Sequence, residues 1–74
     1  MKKKDLVIGK IYRAFVNNQD STDTPNGTIV RILDNKNSLS NHYDGVIVKI
    51  INSPELNIIG HKGWSIDPRF LKEL

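Results

Sequence analysis

The chain has 74 residues, no cysteine and a formal charge of +3, from eleven basic and eight acidic side chains. That length suits one small domain, near the lower limit of what folds alone, burying about 60% of the surface its unfolded chain exposes. Without cysteine there is no disulfide framework, thiolate nucleophile or cysteine zinc site, and apolar runs such as Val46-Ile47-Val48 fall far short of the ~20 residues a membrane span needs.

Lys2, Lys3 and Lys4 carry the whole surplus charge, leaving eight basic residues against eight acidic ones. The expected organisation is a basic tail over 1–5 and a single domain over 6–74. A terminal lysine run most simply keeps a protein soluble, and a neutral body argues against strong non-specific DNA binding. The first ten residues mimic the charged region of an export signal, but the apolar part stops after Leu6-Val7-Ile8, and Lys10 and Arg13 follow. No export signal is expected, and Asn26-Gly27-Thr28 then reads as a turn rather than a glycosylation acceptor. Heavy use of Asn, Lys and Ile is what AT-rich coding yields, as in low-GC bacteria and their phages. The expected compartment is the cytoplasm of a cell or of an infected host.

In chain order, residues 6–16 (LVIGKIYRAFV) read as a first strand, with Gly9 a bend or bulge. Residues 17–27 (NNQDSTDTPNG) form a long polar loop ending in an Asn-Gly turn signal. TIVRILD (28–34) alternates, Val30 and Ile32 on one side and Ile29, Arg31 and Leu33 on the other. After a second polar loop, 35–45, GVIVKIIN (45–52) alternates again, setting Val46, Val48 and Ile50 against Ile47, Lys49 and Ile51. A turn at 53–57 precedes a short strand predicted at 58–60, a tight turn at His61-Lys62, and a strand over 63–67. Proline ends that strand at Asp67-Pro68, because it cannot donate to a ladder and restricts its predecessor. Arg69-Phe70 suit one helical turn, and LKEL a last short strand.

No stretch has helical periodicity and nothing repeats. Short strands at close spacing predict an all-β fold, a small five-stranded antiparallel barrel with a one-turn helix before its last strand. The order of parts resembles the Src-homology-3-like barrels. So does the ending, Gly60-x-x-Gly63, Trp64, then Ile66-Asp67-Pro68-Arg69-Phe70-Leu71, which is similar to the close of small bacterial and phage members. The resemblance implies the scaffold only. The Ala-Leu-Tyr-Asp-Tyr segment and paired tryptophans of the peptide-binding members are not reproduced by Ala14-Phe15 or Asp44-Gly45-Val46, and fold does not give function. Trp64 then helps close the barrel with Ile66, while Pro68 starts a turn packing Phe70 and Leu71 over its open end. The rival role for Trp64 is a half-exposed stacking platform.

Enzymatic constellations are thin. His42 and His61 lie in different loops, near Asp44 and Asp67, without paired carboxylates, metal-ligand spacing or a phosphate-binding glycine loop. Neither catalysis nor a metal or other cofactor is expected. The leading expectation is a non-catalytic binding module holding another protein through its long loops, by way of His42, Tyr43, Asp20 and Asp23, in the manner of a phage or mobile-element protein blocking a host factor. The alternative is nucleic-acid or nucleotide binding, with Lys2–Lys4 as an arm and Trp64, Tyr43, His61, Lys62 and Arg69 as the grip. A third reading is an oligomer subunit, a homo-oligomer burying the spare apolar stripe Ile29, Leu33, Ile47 and Ile51. No membrane association is expected.

Overall fold

The computed structural model describes residues 2–17, 22–35 and 45–74. Five strands, β1 (Ile11–Ala14), β2 (Ile29–Asp34), β3 (Val46–Asn52), β4 (Lys62–Ile66) and β5 (Leu71–Glu73), form one antiparallel sheet in the order β4-β3-β2-β1-β5. Three single turns of 3-10 helix, Lys3–Asp5, Leu56–Ile58 and Pro68–Phe70, complete the regular structure among the described residues. The fold is all-β, as the alternating pattern predicts, and β4 and β5 form the two edges of an open sheet.

The alternation in β2 and β3 holds residue by residue. Val30, Ile32, Val46, Val48 and Ile50 are buried, while Ile29, Ile47, Lys49 and Ile51 are half-buried and Arg31 and Leu33 exposed. Tyr12, Ala14, Leu6, Ile66 and Leu71 join the inner residues in one core, with Val16, Ile58, Trp64 and Phe70 packed against its margin. Burial of this kind contributes roughly 1.5–3 kcal/mol per large aliphatic side chain and is the main source of stability in so small a chain. Two buried hydroxyl residues, Thr28 and Ser53, fasten the loop before β2 to the turn after β3, and a third, Thr24, ties the same loop to β4 through Trp64. Thr28 Oγ1 donates to the Pro25 carbonyl at 2.7 Å and lies 3.2 Å from Ser53 Oγ, which accepts from the Glu55 amide.

Three departures from the sequence reading have local causes. The first strand is shorter than 6–16. After the 3-10 turn at Lys3–Asp5, Leu6 dives into the core and Val7 to Lys10 form a turn, closed by the Lys10 amide on the Val7 carbonyl at 3.1 Å. Gly9 takes a left-handed conformation there, φ +84°, and its amide bonds the Ile32 carbonyl. Second, 58–60 is no strand. Leu56–Ile58 is a 3-10 turn, and the Gly60 amide on Ile50 O brings the chain directly back beside β3. Third, Lys62 belongs to β4 instead of a turn, because the extra residue is taken up by a bulge at Gly63, φ +84°, between the pairs Lys49–Lys62 and Val48–Trp64.

Two further register shifts in the β2–β3 ladder leave Ile51 and Leu33 unopposed. Bulges bend the strand that carries them and increase its twist, so the sheet curls around its inner residues. The Asp67-Pro68 stop works as expected. Asp67 Oδ1 accepts from the Arg69 amide at 2.9 Å, Pro68 opens the 3-10 turn, and the chain re-emerges as β5 with Leu71 fully buried.

Candidate nucleic-acid interface

The residues singled out by sequence fall into three groups. Trp64 and His61 meet: the imidazole stands edge-on to the indole, centroids 5.5 Å apart. The indole packs against the core margin, and its Nε1–H donates to Thr24 Oγ1 at 2.9 Å. The polar edge that a stacking platform would offer is therefore used to hold the loop before β2. Arg69 is largely exposed, yet its Nε donates to Asp67 Oδ2 at 2.9 Å, so its charge is partnered within its own turn. Lys62 is exposed on β4 and Asp23 is exposed before β2. Asp20, His42 and Tyr43 lie outside the described residues. Among the described residues, no group of three or more histidines and acids could hold a metal ion, and no helix is long and apolar enough to cross a membrane.

What sequence reasoning missed lies on the outer face of the sheet. Inner positions alternate with outer ones, the Gly63 bulge shifting that alternation in β4, and every strand carries an outward basic residue: Arg13 in β1, Arg31 in β2, Lys49 in β3, Lys62 at the start of β4 and Lys72 in β5. The register then lines them up. Arg31 is the ladder partner of Lys49, and Lys49 of Lys62, so three cations stand in one row across three strands. One step along the face, Arg13 opposes Lys72. The result is a basic stripe running from one sheet edge to the other.

Like charges directly opposite one another destabilise a sheet, and no ion pair with a described acid offsets them. Arg13, Arg31, Lys49 and Lys62 form no salt bridge with another described residue. Glu73, beside Lys72 in β5, pairs with Lys10, Nζ to Oε1 at 2.9 Å. That hydrogen bond, and then the ammonium charge, hold Glu73 below the ordinary carboxylate range, and Glu73 raises Lys10 in turn. Both side chains are exposed, so water and salt screen their attraction.

Charge counting could not find this stripe, since eight basic residues beyond the tail balance eight acidic ones. The available signal was positional: a lone cation amid apolar neighbours in TIVRILD, GVIVKIIN and IYRAF, and Lys72 in FLKEL. The isoleucines read as an oligomer face, Ile29, Ile47 and Ile51, are half-buried between these cations, and Leu33 is 41% exposed at a bulge. Two copies paired through this face would bring the stripes together, which charge opposes. No protein-family model, curated protein or solved structure matches the chain.

Proposed function

We propose that this chain is a non-catalytic binding module, a small Src-homology-3-like barrel whose outer sheet face holds nucleic acid by its phosphates. The observation that carries the reading is the uncompensated row Arg31–Lys49–Lys62. Cations brought face to face at a cost to the free protein favour a ligand that supplies the missing negative charge. Strand order β4-β3-β2-β1-β5, three bulges that bend the sheet, and the proline-capped turn before β5 support the barrel scaffold.

A polyanion held this way is released by salt in a quantitative manner. With about five phosphates neutralised, the logarithm of the binding constant falls with the logarithm of salt concentration at a slope of about −3.5 for a single strand or about −4.5 for a duplex. Titration of a labelled oligonucleotide by fluorescence anisotropy across a salt series measures it. A slope near zero, or no binding at low salt, removes this reading.

A protein partner is the second reading, favoured by an exposed apolar group at one end of the sheet. Val7 is 56%, Ile8 54% and Leu33 41% exposed, and the Gly9 amide on the Ile32 carbonyl fixes the turn carrying Val7 and Ile8 beside β2. Ile8→Asp is expected to leave the fold and oligonucleotide binding intact and to abolish retention of a protein partner. Unchanged retention would place that contact elsewhere.

A further inference from the structure

The composition of the basic face narrows its ligand. We infer that it takes single-stranded nucleic acid, with Phe15 as a base-stacking side chain, an inference that rests on the phosphate-binding reading above. Phe15 follows Ala14 at the end of β1, so by alternation it shares the outward face with Arg13. It is 46% exposed, and its amide bonds the Phe70 carbonyl at 2.8 Å, which fixes its backbone to the turn before β5. Lys72, the ladder partner of Arg13, holds its Nζ 5.1 Å from the centre of the Phe15 ring. An exposed aromatic ring with a cation over one face, at the end of a basic stripe, offers its opposite face to a base and one charge to the adjoining phosphate.

The rest of the face agrees. Between the cations lie Ile11, Ile29 and Ile47, half-buried and open to solvent on one side. A duplex turns its base faces inward and presents phosphates and groove edges, which leaves such apolar surface wet. An unpaired strand presents flat, weakly hydrated bases together with phosphates, matching a face that mixes apolar and cationic side chains. Five strands at the usual sheet spacing span about 19 Å, the reach of roughly four to six nucleotides. Trp64 is not the stacking residue on this account, because it packs inward and bonds Thr24.

The test compares three ligands by anisotropy or competition: a labelled oligodeoxythymidine of about twelve nucleotides, the same strand paired with its complement, and inorganic polyphosphate. The single strand is expected to bind at least about tenfold more tightly than either of the others, from the loss of one or more stacked bases. Phe15→Ala should weaken single-strand binding about 5- to 150-fold and leave the salt slope, the duplex and polyphosphate unchanged. Phe15→Leu, which keeps apolar volume for folding but lacks a π-face, should lose most of the same affinity. Equal or tighter duplex binding, polyphosphate binding as tight as the single strand, or an unaltered Phe15→Ala variant would overturn the inference while phosphate binding stood. Failure of all three ligands to bind would remove the phosphate-binding reading itself.

Discussion

Lys49→Glu is expected to make the free protein more stable and to weaken its hold on nucleic acid about 10- to 100-fold at low salt. The two effects have one origin. Lys49 stands between Arg31 and Lys62 as ladder partner of both, so reversing its charge turns two repulsive cross-strand pairs into attractive ones. Opposite-charge pairs of this kind are worth roughly 0.2–1 kcal/mol each, so two of them raise Tm by about 2–16 °C at this chain length. The same change removes a phosphate contact from the middle of the stripe and adds a repulsion there. Lys49→Gln should fall between, with weaker binding and a smaller gain in Tm. Thermal melts and salt-resolved binding isotherms on the three proteins decide the matter. A residue kept for packing alone would lose stability on both substitutions, and a variant that melts lower yet binds as before would count against the functional face.

Tyr12→Ala is expected to lower Tm by about 15 °C or more, close to unfolding the chain at room temperature. Tyr12 is fully buried at the centre of the core, on the short strand that joins β2 to β5. Emptying an aromatic site of this kind costs about 3–5 kcal/mol, a large share of the stability available to 74 residues. Tyr12→Phe separates the ring from its hydroxyl. The oxygen accepts from the Val7 amide at 3.0 Å and so holds the turn that leads into β1. Its removal leaves that amide without its partner, a loss of about 1–2 kcal/mol and a fall in Tm of about 4–16 °C. Protection of the Val7 amide against hydrogen exchange should drop with it. Equal melting points for Tyr12→Phe and the parent would show that the hydroxyl contributes nothing to the fold.

The parts of the fold legible in the sequence were those where one physical rule acted alone. Alternation over TIVRILD and VIVKII fixed which side chains of β2 and β3 enter the core, and Asp67-Pro68 marked a turn that proline stereochemistry makes almost obligatory. Over three residues, Ile58-Ile59-Gly60, apolar character does not distinguish a strand from a 3-10 turn. There the conformation is decided by the Gly60 amide reaching Ile50 O, a contact between distant parts of the chain. Residues 6–10 misled for a related reason: their β-branched character is genuine, but Gly9 in a left-handed conformation reverses the chain. The basic stripe was hidden at another level. Each of its residues stands at an exposed or half-exposed position, whereas their alignment depends on four ladder registers and three bulges that no local pattern encodes. Composition, which averages over position, pointed toward neutrality.

The bulge at Gly63 has one more consequence. It lies in β4, which has one strand neighbour, β3, among the described residues and so forms a rim of the sheet. A regular rim would template a neighbouring chain and seed fibrils. Here the extra residue breaks the spacing after Lys62, and that lysine would have to surrender its water to any intruding segment. The opposite rim, β5, has only three residues and two of them are charged. A protein with two such interrupted margins should stay dispersed at high concentration, even though nearly every strand contains isoleucine, valine or leucine.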